Sequence, residues 1–192
     1  METSTAENAE SRPTPQQIRL VQSIADFQMA LSAADFMCEL DEDQPLTRVE
    51  RRRYRCFEDS AVIAYGRAFT AANGLSALSF KQLKIKPAAD ERDLHDRIMQ
   101  RRHKVVAHSD ADRQRILFTT ERLSAENMTV MLPRVDFDDA LAFFSERRPL
   151  VEWLRRLLEA AGEVLFHQVQ GVPEVHFVRD HTVATEPEVG NP

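Results

Sequence analysis

The densest run of side chains able to move protons and hold phosphate is LHDRIMQRRHKVVAHSD, residues 94–110. A bundle helix wants apolar residues at its core positions, yet Arg101, Arg102, His103 and His108 crowd its last two turns. On a straight α-helix Arg101 and His108 fall within about 20° of each other, whereas Arg102 and His108 fall about 120° apart. Arg102 and His108 therefore converge only where the helix end bends or a second subunit supplies one of them. Val105 and Val106 lie between and are expected to anchor this turn in the core. That leaves the polar groups at the rim of a packed surface, where environment sets both His pKa and Arg position.

An Arg and a His without a carboxylate partner suit RNA cleavage by its own 2′-hydroxyl. The hydroxyl attacks the adjacent phosphorus, so the protein supplies no nucleophile. It moves protons, a task for His at neutral pH, and stabilises the phosphorane charge, a task for the permanently charged fork of Arg. DNA lacks the 2′-hydroxyl and would be bound but not cut. No metal or other cofactor is expected. His95, His103 and His108 with Asp110 and Asp112 match no common ligand spacing, and Cys38 and Cys56 lie far away in sequence. No glycine-rich phosphate loop is present.

The run Arg102-His103-Lys104-Val105-Val106-Ala107-His108-Ser109 resembles the signature of the HEPN superfamily: an Arg, a polar residue, a few more residues, then a His. Ala64-Tyr65-Gly66-Arg67-Ala68-Phe69-Thr70 is similar to a segment of abortive-infection-type HEPN proteins. The resemblance implies an α-helical homodimer with facing motifs and a metal-independent endoribonuclease that serves as a toxin or antiviral-defence effector. A neighbouring antitoxin or nucleotidyltransferase-like partner is an arrangement such proteins use. Carried onto this sequence, it makes His108 the general acid or base, Arg102 the transition-state stabiliser and His103 the orienting group. Arg101 or Lys104 would grip phosphate, and Arg67 could face the same cleft. The polar position, more often Asn or Asp in the family, is here His103. The alternative is a catalytically silent HEPN-like module that dimerises or binds RNA.

Each feature also has a plainer explanation. Cations at the end of a helix complement its dipole, which alone would account for Arg102 and His108. Tyr65 and Phe69, four residues apart, suit core packing more than base stacking. Arg67 suits a surface ion pair, and Arg51-Arg52-Arg53 a solvated helix face.

The elements that must position these residues are helical. The chain has 192 residues, 43% hydrophobic and 29% charged, enough for a sizeable core; 5 Gly and 7% aromatics argue against a β-sandwich. The expected fold is all-α, an up-and-down bundle of four to five helices over residues 15–170 with a small β-hairpin insertion at about 115–135. A disordered acidic arm (1–14) and a loose tail (171–192), with a possible short strand at EVHFV, flank it. Thr14-Pro15 reads as a cap and first helical residue. In the first helix Ile18, Val21, Ile24, Ala25, Gln28, Leu31, Ala34 and Met37 or Cys38 recur at helical spacing, and the acidic knot Asp41-Glu42-Asp43 with Pro45 ends it. A second, from about Pro45 to Asn73, carries Leu46, Val49, Arg53, Cys56, Ser60, Ile63 or Ala64, and Ala68 or Thr70 along one side. A third runs from Ala88 to His108. The last runs from Asp136 to Gln170, kinked or broken at Pro149.

Two cysteines point to a reducing compartment, no apolar run reaches membrane-span length, and the first thirty residues lack a signal layout. A cytoplasmic protein is expected. The net charge of −6 is unevenly placed. Acidic residues gather in the ends, at Glu2, Glu7 and Glu10 and at Asp180, Glu186 and Glu188. By contrast, residues 48–55 carry five Arg against Glu50, and 81–104 carry eight cations against four carboxylates. Local field, more than net charge, decides polyanion binding.

Overall fold

A computed structural model of the chain describes residues 13–39, 45–72, 74–106, 119–125, 128–134 and 140–171. His108, the polar turn after it, the helix start expected at Asp136, most of the N-terminal arm and the tail from residue 172 lie outside the described residues. The fold is all-α, four helices packed as a bundle: α1 (Pro15–Cys38), α2 (Arg48–Ala68), α3 (Ala89–Arg101) and α4 (Arg147–Val169). Helix α1 packs against both α2 and α4, and α2 carries α3. Between α3 and α4 the backbone pairs β1 (Thr119–Ala125) with β2 (Met128–Arg134) antiparallel, Thr119 opposite Arg134 and Ala125 opposite Met128. Among the described residues no helix is long and apolar enough to cross a membrane.

Local chemistry sets the helix starts. The Thr14 hydroxyl accepts from the Gln17 N–H (3.2 Å), and the Gln17 side chain accepts from the Thr14 N–H (2.8 Å). Thr47 and Glu50 repeat this reciprocal cap, so α2 starts at Arg48 rather than at Pro45. Helix α2 also stops earlier than expected, at Ala68. Buried Arg19 of α1 reaches the backbone carbonyls of Thr70, Leu75 and Ser76 at 3.0, 3.2 and 2.7 Å. These oxygens are held in a turn by a cation that a continuing helix would have excluded.

The buried faces match the expected lines in part: Ala34 and Met37 of α1 and Ala64 and Ala68 of α2 are buried, but the rest of each face is set differently. Helix α1 buries Leu20, Ser23, Phe27, Ala30, Ala33, Ala34 and Met37, while Ala25 and Gln28 are exposed. Helix α2 buries Tyr54, Glu58, Ala61, Val62, Tyr65 and Ala68; Val49 is 76% exposed, and Cys56, Ser60 and Ile63 face outward. The physical reason is area. The two tyrosines remove far more surface from water than Val49 and Cys56 would, and the alanines let α1 and α2 approach closely. Leu94 and Ile98 of α3, and Leu150, Trp153, Leu154 and Leu157 of α4, complete the core.

Helix α4 begins at Arg147, after a 3₁₀ turn at Phe144–Glu146. The preceding backbone is held elsewhere: the N–H groups of Ala142 and Phe143 donate to the Glu58 carboxylate at 3.0 and 2.8 Å. Pro149 falls in the first turn of α4, where its missing N–H breaks no bond, so it neither kinks nor divides the helix.

Candidate functional site

The α2–α3 seam holds Arg101 and Arg102, while His108 lies outside the described residues. Helix α3 keeps α-helical winding only to Arg101; residues Arg102–Val106 continue as a π turn. Such turns widen the ladder to i→i+5 bonds and recur at functional sites. The straight-helix angle count thus stops at Arg102, where the winding changes, short of His108.

Arg101 and Arg102 part company here. Arg101 turns inward, its guanidinium 3.2 Å from Glu58 Oε1 and 3.9 Å from Asp59 Oδ1. Glu58 is wholly buried, and the Arg101 side chain is only 12% exposed. A carboxylate taken fully from water needs this much company: one guanidinium and two backbone N–H groups. Glu58 therefore ties α2, the end of α3 and the entry to α4 at one point. In this geometry Arg101 serves that tie.

Arg102 instead lies across Gly66 of α2. A Cβ built on Gly66 would overlap the Arg102 side chain, coming 2.9 Å from both Cγ and Nε and closer still to Cδ. The missing side chain of Gly66 is the space Arg102 occupies. This also explains a glycine inside a helix, where it costs about 1 kcal/mol relative to alanine. The two segments that carry the family resemblance thus touch, through Gly66 of one and Arg102 of the other. Arg102 is half-buried and sits 3.5 Å from His103 Nδ1, a long and weak contact. His103 and Lys104 are exposed.

Arg67, next to Gly66 in sequence, points to α1. It pairs with Asp26 Oδ1 at 2.9 Å, donates to Met29 Sδ at 3.2 Å and is 46% exposed. Burial pushes the Asp26 carboxyl above its ordinary pKa, outweighing the pull of Arg67 in the other direction. The structure thus brings Arg102 and His103 together and leaves Arg67 on the α1 side.

One neighbouring network is invisible to spacing arguments. Trp153 Nε1–H donates to the Tyr65 hydroxyl oxygen at 2.9 Å, and that oxygen lies 2.7 Å from His95 Nδ1. With Trp153 filling one lone pair, the complete pattern has Tyr65 donating to Nδ1, which assigns the His95 proton to Nε2. The ring stands edge-on to Phe69 and Phe80, centroids 4.7 and 4.8 Å away. Burial lowers the His95 pKa below its ordinary value; Asp96 raises it and Arg92 lowers it further. Burial pushes the Tyr65 hydroxyl well above its ordinary range. His95 is thus a neutral packing group that fixes α3 on α2, one heptad before Arg102 on the same face.

Sequence reasoning missed Glu58, Gly66 as a seat, and the Trp153–Tyr65–His95 chain. Two signals were available. One is a glycine interrupting a good helix former run, and the other a glutamate on the Tyr54–Tyr65 face. In comparison with known proteins, no family model, no curated protein and no solved structure matches the chain.

Proposed function

We propose that the chain is a HEPN-like, metal-independent endoribonuclease, a cytoplasmic toxin or phage-defence effector acting as a homodimer and cleaving RNA through attack of its own 2′-hydroxyl. His108 moves the proton, Arg102 stabilises the phosphorane, and His103 orients the pair. Lys104, exposed beside them, grips phosphate in preference to Arg101, which Glu58 already holds. An antitoxin or nucleotidyltransferase-like protein would restrain it. An up-and-down order of the helices, with the β1–β2 hairpin as an insertion, belongs to the same proposal.

The observation that carries it is Arg102 laid over Gly66. The guanidinium stem is positioned by backbone, and among the described residues no carboxylate neutralises it. An arginine held in place without a counter-ion suits an incoming phosphate. The test incubates purified protein with single-stranded RNA in chelator, beside the Arg102→Ala/His108→Ala double variant. Cleavage by wild type and none by the variant is expected; equal, negligible cleavage by both would end the enzyme proposal.

A second reading, a catalytically silent HEPN-like dimer or RNA-binding module, draws on the neutralisation already present near the seam. Glu58 takes Arg101 and Asp26 takes Arg67. On this reading His108→Ala weakens the dimer in sedimentation while wild type cuts nothing.

A further inference from the structure

Five arginines crowd the first eight residues of α2, where helix physics disfavours them. The N-terminal end of a helix carries partial positive charge. Like charges three and four apart, as Arg48/Arg51, Arg48/Arg52 and Arg51/Arg55 are, repel. Of the nearby carboxylates, Asp59 stands 3.7 Å from Arg55, whereas Glu50 accepts from the Thr47 N–H in the cap, at 2.8 Å, and lies about 160° around the helix from Gly66. Arg53 is also apart, stacked over Phe57 with its guanidinium 5.7 Å from the ring centre.

The remaining arginines fall into line with the Arg102 seat. At about 100° per residue, Arg48, Arg52 and Arg55 lie within about 40° of the Gly66 direction, and Arg51 about 60° to one side. They stand about 17–27 Å along the axis from Gly66. Between them and the seat lies Asp59, already within 3.7 Å of Arg55 and 3.9 Å of Arg101. Arg51 and Arg52 are exposed.

We infer that this stripe is a docking track for the backbone of single-stranded RNA on its way to Arg102, an inference that rests on the RNA-directed function proposed above. A band of guanidinium groups along one side of the helix follows one phosphate backbone, and in-line attack by a 2′-hydroxyl requires the conformational freedom of an unpaired strand. The stripe offers no exposed aromatic ring, since Tyr54 is buried and Phe57 half-buried, so it reads charge and not sequence.

The test uses a fluorescent 2′-O-methyl uridine 20-mer, which cannot be cleaved, titrated by anisotropy at several salt concentrations. Loss of two phosphate contacts lowers the slope of log K against log salt by about 1.4, equivalent to about 60-fold weaker binding at 50 mM salt. Arg51→Ala/Arg52→Ala is expected to show this loss with unchanged helix content by circular dichroism, and Arg51→Lys/Arg52→Lys to keep the wild-type slope. Wild-type and alanine-variant slopes that coincide overturn the track, as does failure of wild type to bind the oligonucleotide. Binding to phosphatidylserine vesicles in its place also overturns it. Ordinary RNA separates the two proposals. Stripe-dependent binding without cleavage preserves the track and removes the ribonuclease; cleavage with a stripe-independent slope does the reverse.

Discussion

Gly66→Ala separates the fold from the site more cleanly than any other change. The added methyl group must displace Arg102, because the ideal Cβ position already overlaps its side chain. What yields is a flexible, half-buried side chain and not backbone, so the fold loses little. Gly66 sits in the last turn of α2, where alanine gains at most about 1 kcal/mol over glycine, which offsets the rotamer strain imposed on Arg102. Net stability is expected to stay within about 1 kcal/mol of wild type, a midpoint shift of about 2–4 °C at most for a chain of this size. RNA cleavage, by contrast, should fall about 10²–10³-fold, the usual effect of moving one group that stabilises transition-state charge. Arg102→Ala should fall by a similar factor. Combined with Gly66→Ala it should lose no more activity, while its melting midpoint rises above that of Arg102→Ala because the methyl group now has room. Calorimetry and single-turnover cleavage of labelled RNA measure both quantities. Wild-type cleavage by Gly66→Ala would refute the seat, as would a lower midpoint for the double variant than for Arg102→Ala.

Glu58→Ala removes the partner of Arg101 and the acceptor of two backbone N–H groups, so a loss of about 3–5 kcal/mol is expected in urea unfolding. A loss under 1 kcal/mol would show that the tie is dispensable. His95 sets a pH dependence. Burial depresses its folded pKa below the unfolded value of 6.5, so its contribution to stability is complete above pH 6.5 and is lost as pH falls through the folded pKa. Protonation would also set Nδ1–H against the hydroxyl that donates to it. Urea midpoints of wild type should drop below pH 6.5 more steeply than those of His95→Leu; parallel profiles would contradict this. Arg19→Ala leaves the carbonyls of Thr70, Leu75 and Ser76 without their shared donor, and faster amide exchange at residues 75–78 should report it.

Local signals were legible wherever the chemistry was local. Thr14-Pro15 announces α1, and Leu94 and Ile98 announce the inner face of α3. The inner face of α2 was not legible. Val49, Cys56 and Ile63 form a helical line as regular as Tyr54, Ala61 and Tyr65, and only tertiary packing chooses between them. Glu58 looks like a surface charge in sequence because its partners lie 43 residues away at Arg101 and 84 at Ala142. The same distance hid the reason for Gly66, whose neighbour Arg102 follows 36 residues later. The π turn at Arg102 breaks the periodicity on which angular counting depends. The motif therefore pointed to the seam, while the contacts that build it are long-range.

The ends of the products report directly how the phosphodiester bonds break. Attack by the 2′-hydroxyl leaves a 2′,3′-cyclic phosphate on one fragment and a 5′-hydroxyl on the other. Mass spectrometry of RNA treated in chelator should find those ends with wild type, formed about 10²–10³-fold more slowly with Arg102→Ala. Fragments ending in 3′-hydroxyl and 5′-phosphate, or cyclic ends formed as fast by Arg102→Ala as by wild type, would contradict the mechanism.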